Sequence, residues 1–155
     1  MFISEIIKKL TQNKNENEIS VKIHPTHENL SEYRKIIDPI NPKIQIFQKE
    51  DLKKLINDTD LIITPVSSTA VISGLIMRKC IIIWNIYDVQ NDVLLENDLA
   101  LECRNSTELL DLVHRAKKWE FPEEKIHKFT LKYLFKSDGK SSERIANAIV
   151  QIIKK

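Results

Sequence analysis

The segment from Asp60 to Trp84 constrains the fold of this chain more than any other stretch. A short apolar run follows Asp60 and ends at Pro65, a hydroxyl-rich turn opens a helix-compatible segment, and a second apolar run covers Cys80 to Trp84. This order predicts a strand, a turn, a helix and a strand. Because both runs are continuously apolar, both faces of each strand should be covered, which is typical of a parallel sheet between helices. The turn then lies at the carboxyl edge of the sheet, where open α/β sheets bind ligands.

The rest of the chain alternates between short apolar runs and amphipathic segments. Further strands are predicted at residues 19–23, 43–47 and 99–103, and further helices at 2–10, 31–37, 50–58, 106–116, 122–135 and 142–153. Ser106 is expected to cap its helix, and Leu52 and Tyr133 are expected on buried faces. Residues 85–98 are polar and long enough for a functional loop. This alternation predicts a three-layer α/β architecture in a single domain over residues 1–155.

Composition excludes several classes of function. The 24 basic and 22 acidic side chains are scattered and give a net charge of +2, so general affinity for nucleic acid or membranes is not expected. The two glycines, Gly74 and Gly139, cannot form a glycine-rich phosphate loop of the Walker or dinucleotide type. No metal-ligand spacing is present, and no metal or cofactor is indicated.

The cysteines and the N-terminal residues indicate in which cellular compartment the protein is expected. Cys80 begins an expected core strand and the other cysteine is Cys103, so a reduced protein without a disulfide framework is the simpler interpretation. The first ten residues carry an acid inside an apolar stretch and lysines after it, the reverse of a signal peptide. No run is long enough for a transmembrane segment. We therefore expect a cytoplasmic protein.

Three consecutive hydroxyl residues, Ser67, Ser68 and Thr69, occupy the turn of the central segment. At a helix start the first backbone N–H groups lack partners and the helix dipole leaves partial positive charge, so these groups and the hydroxyls could together bind a phosphate. The alternative is that one serine is a simple N-cap, worth about 1 kcal/mol, and that its neighbours are merely polar.

His24 and Pro25 end the strand predicted at residues 19–23. Proline cannot donate to a strand ladder, so the strand must stop there and deliver His24 to the same sheet edge as the serine turn. Histidine can be charged or neutral near physiological pH and could contact a phosphate or a base. The alternative is an exposed loop histidine without a role, and the same two interpretations apply to His27.

The sequence KIHP follows one strand and the sequence VSST follows another, about one strand-helix-strand-helix-strand unit later. This pair of motifs resembles a known family. It is similar to the nucleotide-sugar-binding C-terminal domain of GT-B glycosyltransferases, in particular bacterial sialyltransferases and glycerophosphotransferases. The resemblance extends through DTDLIIT, the following helix and CIII strand, and the closing SDGKSSERIANAIVQII. It implies a Rossmann-like, mostly parallel sheet, nucleotide contact by His24 and Pro25, and phosphate contact by Ser67, Ser68 and Thr69.

The chain departs from the resembled domain in three respects. Where many such domains carry an acid that binds the ribose hydroxyls, this chain has Ser73, which would make that contact only weakly. Nothing matches the catalytic acid or base, which the resembled enzymes carry in their N-terminal domain, so the catalytic residues are unknown. The first strand of a GT-B half-domain is also missing, and we expect the strands led by Val21 and Leu61 to lie nearest that gap.

The missing strand has three explanations: a fragment of a longer gene, another polypeptide that supplies the strand and the second domain, or a sheet closed around the gap. The resemblance implies the donor-binding half of a glycosyltransferase-like enzyme that transfers from a nucleotide-activated sugar or polyol in surface-polysaccharide synthesis. Its partners would be the nucleotide-sugar donor and an N-terminal domain or partner chain. The alternatives are a non-catalytic nucleotide-binding or scaffold module and a nucleotide-sugar epimerase-like domain.

Overall fold

The computed structural model describes residues 2–12, 17–66, 68–85, 88, 90–136 and 138–154. Among these residues, strands and helices alternate as the apolar runs predict. The strands are β1 (Ser20–Lys22), β2 (Gln45–Phe47), β3 (Leu61–Thr64), β4 (Cys80–Trp84) and β5 (Leu101–Cys103). The helices are α1 (Phe2–Gln12), α2 (Leu30–Ile37), α3 (Leu52–Asn57), α4 (Thr69–Ile76), α5 (Val93–Glu96), α6 (Leu109–Ala116), α7 (Glu123–Phe129) and α8 (Ser141–Ile153).

The described strands form two parallel sheets rather than one continuous sheet. β1 pairs with β2, and β3, β4 and β5 pair in that order. Val21 lies opposite Ile46 in the smaller sheet, and Ile63 lies opposite Ile82 in the larger one. The strands that contain Val21 and Leu61 do not pair with each other, and their place beside the gap of a missing strand stays a prediction.

The larger sheet is the middle of three layers. All five residues of β4 are buried. Because side chains alternate along a strand, Ile82 and Trp84 face α1 and α6, and Ile81 and Ile83 face α4, α5 and α7. Continuous apolarity thus correctly predicted a strand covered on both sides, and the three-layer α/β fold is confirmed.

Helix α1 packs against both sheets. Ile6 and Leu10 belong to the apolar cluster on the larger sheet, and Ile7 belongs to the cluster formed by the smaller sheet and α2. Ile19, just before β1, contacts both clusters. The two sheets are therefore joined through side-chain packing in place of strand pairing.

Two side chains predicted on buried helix faces are exposed. Leu52 is 37% exposed and Tyr133 is 43% exposed, because the buried positions are occupied by Ile56 in α3 and by Ile126 and Phe129 in α7. The helix predicted over residues 122–135 is confirmed, as α7 up to Phe129 and then as a π-helix over Thr130–Leu134.

Ser106 does not cap α6. The side-chain oxygen of Asn105 instead accepts hydrogen bonds from the N–H groups of Thr107 and Glu108, at 3.1 and 3.2 Å. The Glu108 carboxylate accepts in return from the N–H groups of Arg104 and Asn105, at 2.7 and 3.0 Å. This reciprocal arrangement resembles a capping box and moves the helix start to Leu109.

The segment 85–98 is not wholly irregular. Asp92 accepts hydrogen bonds from the N–H groups of Leu94 and Leu95 and so caps α5, while Leu94 and Leu99 are buried in the core. Residues 86, 87 and 89 lie outside the described part of the chain, so a functional role for this loop stays a prediction.

Candidate functional site

The turn after β3 presents the start of α4 to solvent. Ser68 has extended backbone, and its hydroxyl oxygen accepts a hydrogen bond from the Val71 N–H at 3.4 Å. Ser68 and Thr69 are exposed, and the first turn of α4 carries no acidic side chain. Since Ser68 accepts with its oxygen, its hydroxyl can still donate to a ligand. The N-cap interpretation is therefore confirmed for Ser68, and the same helix start has the polarity that an anion requires.

A glycine lets helix α4 lie close to β3. A Cβ atom at Gly74 would lie 2.4 Å from Cδ1 of Ile62 on β3, so a larger residue would push the helix or that side chain away. Thr64, at the end of β3, donates its hydroxyl to the Val66 carbonyl at 3.0 Å and tightens the turn. The helix start is thereby fixed directly after the strand end.

Of the two remaining predicted serines, the structure describes Ser73 but not Ser67. The Ser73 hydroxyl donates to the Thr69 carbonyl at 2.9 Å, one helical turn earlier, so only its oxygen lone pairs are available to a ribose. Ser67 lies outside the described residues, and phosphate contact by it stays a prediction.

His24 and Pro25 lie in an exposed loop directly after β1. The Nδ1 atom of His24 accepts hydrogen bonds from the backbone N–H groups of Thr26 and His27, each at 3.2 Å. The two histidine rings are stacked with centroids 4.5 Å apart. His24 is therefore a fixed side chain rather than a freely rotating loop residue.

Glu28 and Gln48, which no sequence pattern singled out, support this loop. The Glu28 carboxylate accepts hydrogen bonds from the His24 N–H and from the Tyr33 hydroxyl. Gln48 donates to the carbonyl groups of Pro25 and Glu28, at 3.4 and 2.8 Å. The only available signal was an acid four residues after His24, which is too weak to identify a partner from sequence.

Lys22 adds positive charge beside the same loop. Its ammonium group donates to the carbonyl groups of Ile23 and Gln48, at 2.6 and 2.9 Å. The ammonium carries three protons, so two such bonds leave one for a ligand.

The predicted site residues fall into two groups. His24 and Pro25 follow β1, whereas Ser68, Thr69 and Ser73 belong to the start of α4 after β3. No hydrogen bond between described residues joins the two groups. Each group follows the carboxyl end of a parallel strand, but the strands belong to different sheets.

In the part of the chain that the structure describes, no group of three or more His, Cys, Asp or Glu side chains is arranged to hold a metal ion. A membrane-spanning helix is likewise not found among those residues.

An open cavity of about 620 Å³ lies at the opposite end of α4 from the serine turn. It is lined in part by Arg78, Glu123 and His127. Arg78 forms a bidentate ion pair with Glu123, with N–O distances of 2.7 and 2.5 Å, and this pairing lowers the pKa of Glu123. Arg78 and Glu123 in the cavity wall neutralise each other, and the cavity lies away from the carboxyl ends of the strands.

A parallel sheet covered by helices on both faces, with polar turns after its strand ends, defines a small Rossmann-like domain. The chain belongs to the CDP-glycerol:poly(glycerophosphate) glycerophosphotransferase family, whose family model matches residues 5–151. This membership assigns it a glycosyltransferase-like function in polymer synthesis. Comparison with curated proteins and with solved structures gives no significant match.

Proposed function

We propose that this chain is the donor-binding half of a GT-B-type transferase that uses a nucleotide-activated sugar or polyol in surface-polysaccharide synthesis. The observation that carries the proposal is the exposed start of α4, where Ser68 and Thr69 follow a strand end and no acid lies in the first turn. The family description names a CDP-linked glycerol donor, so a cytidine diphosphate is the first candidate ligand.

In this proposal the nucleotide phosphates bind at the start of α4. When the bond to the transferred group breaks, negative charge develops on the departing nucleotide phosphate. The helix dipole, the first N–H groups and the hydroxyls of Ser67, Ser68 and Thr69 would stabilise that charge. His24 and Pro25 would contact the nucleotide from the other strand end, and Ser73 would face the ribose.

The catalytic acid or base would come from a second domain or a partner chain. In the described part of the chain, β1 pairs only with β2, and β3 pairs only with β4. Each of these strands therefore offers an edge at which further backbone could pair. The free thiols of Cys80 and Cys103 suit a reducing compartment, and we propose a cytoplasmic location.

Calorimetric titration of the purified chain tests the proposed donor site. Cytidine, CMP, CDP, UDP and GDP are titrated into the wild type and into a double variant with Ser67→Ala and Ser68→Ala. We expect CDP to bind, cytidine to bind weakly or not at all, and the double variant to lose about tenfold or more in CDP affinity, because hydrogen bonds to charged groups are lost.

Ser142→Ala is the matched control, since Ser142 is an exposed serine in the first turn of α8. Equal affinity for cytidine and CDP would contradict the phosphate site. The same conclusion would follow if the double variant and Ser142→Ala both bound CDP like the wild type.

A further inference from the structure

The hydrogen bonds around His24 determine which of its ring nitrogens faces a ligand. Nδ1 accepts from two backbone N–H groups, those of Thr26 and His27, each at 3.2 Å. A ring nitrogen can accept only when it carries no proton, so in the neutral ring the proton lies on Nε2. His24 is exposed, and it therefore offers solvent a hydrogen-bond donor at Nε2.

The backbone of His24 is held by a carboxylate from its own loop. One Glu28 oxygen accepts from the His24 N–H, and the other accepts from the Tyr33 hydroxyl on α2. Glu28 and Tyr33 are both half-buried, unlike the exposed residues 24–27. Burial and the hydrogen bond to Glu28 raise the pKa of Tyr33 to about 12, so the phenol keeps its proton at neutral pH.

A second contact ties the loop to the end of β2. Gln48 donates to the Glu28 carbonyl at 2.8 Å and reaches the Pro25 carbonyl at 3.4 Å. The loop is thus fixed from α2 on one side and from β2 on the other. A loop that only connects β1 to α2 would not need these hydrogen bonds from both sides.

We propose that Glu28 and Tyr33 are positioning residues that hold His24 as an Nε2–H donor toward an acceptor oxygen of the bound nucleotide. This inference rests on the proposed function and extends it, because it assigns roles to two residues that make no ligand contact themselves. It also restricts what His24 recognises: a phosphate oxygen or a base carbonyl, and not a donor group.

Four substitutions separate positioning from simple structural support. Glu28→Ala removes both hydrogen bonds, and Tyr33→Phe removes one. Glu28→Gln is the conservative rescue, because its side-chain oxygen can accept from the His24 N–H while its NH₂ group donates to the Tyr33 oxygen. Glu32→Ala is the matched control, since it removes an exposed carboxylate of α2 that has no hydrogen bond to the loop.

The experiment combines ¹⁵N NMR of the histidine rings in the free chain with calorimetric titration of CDP. The signals of His24 are assigned by their loss in His24→Gln. In the wild type we expect the Nε2–H tautomer of His24. Glu28→Ala should give a mixture of tautomers and about tenfold weaker CDP binding, Tyr33→Phe a smaller effect, and Glu28→Gln and Glu32→Ala values within about threefold of the wild type.

An Nδ1–H tautomer in the free wild type would overturn the inference. So would a Glu28→Ala variant that is folded by its thermal transition and keeps both the wild-type tautomer and the wild-type affinity. If the wild type binds no nucleotide, the proposed function fails, and the ring signals of the free variants still show whether Glu28 positions His24.

Discussion

At the scale of single residues, the two cysteines show how burial changes side-chain chemistry. Cys80 and Cys103 are free thiols on the side of the larger sheet that faces α1 and α6. Burial raises the pKa of each thiol to about 11. Thiolates are the reactive form, so both side chains should be nearly inert in the folded chain at neutral pH.

The raised thiol pKa values predict slow modification of the native chain and lower stability at alkaline pH. An aromatic disulfide reagent at pH 8 should modify both thiols slowly in the native chain and quickly after denaturation. Above about pH 9 the unfolded chain releases the thiol protons while the folded chain retains them up to about pH 11, so the free energy of unfolding should fall across that window. Rapid modification of the native chain, together with unchanged alkaline stability, would contradict the burial.

Residue-level prediction from sequence succeeded where one interaction dominates and failed where partners are distant in sequence. Ser68 was recognisable because an N-cap is a local feature of the chain. The support of His24 by Tyr33 and Gln48 depends on how α2 and β2 pack, and no local pattern carries that information. Ser106 failed for a different, local reason, since Asn105 with Glu108 competes for the same helix start.

At the scale of elements, α4 packs closely against β3, and the serine turn joins the two. Gly74 lets the helix approach Ile62, and the Thr64 hydroxyl donates to the Val66 carbonyl within the turn. The sequence indicated the strand, turn and helix correctly from their apolar runs. It could not indicate how closely the helix approaches the strand, because that distance depends on the absence of a side chain at Gly74.

We predict that Gly74→Val destabilises the chain by about 2 kcal/mol, since added methyl groups overpack the contact with Ile62. Combining it with Ile62→Ala should recover part of the loss, because the clashing side chain is removed. Urea denaturation of the two single variants and the double variant measures this coupling. If Gly74→Val unfolds at the wild-type urea concentration, the close approach is not a constraint on packing.

At the scale of the whole molecule, the chain combines two parallel sheets through α1. Apolar residues at helical spacing predicted α1, but they could not show that Ile7 packs on one sheet and Ile6 and Leu10 on the other. The alternation of strands and helices predicted the three-layer fold. The resemblance implied one mostly parallel sheet without its first strand, and the division into two sheets was not predicted, because periodicity within a strand says nothing about its neighbours.

We propose that the start of α4 and the loop after β1 bind one nucleotide, although they follow strands of different sheets. A ¹H–¹⁵N NMR titration of the labelled chain with CDP-glycerol tests this proposal. We predict concentrated shifts in the amides of Thr69 and Ala70 and in residues 24–28, with one common saturation curve. Shifts confined to the cavity around Arg78 and His127, or different saturation curves for the two regions, would show that the two regions do not form one nucleotide site.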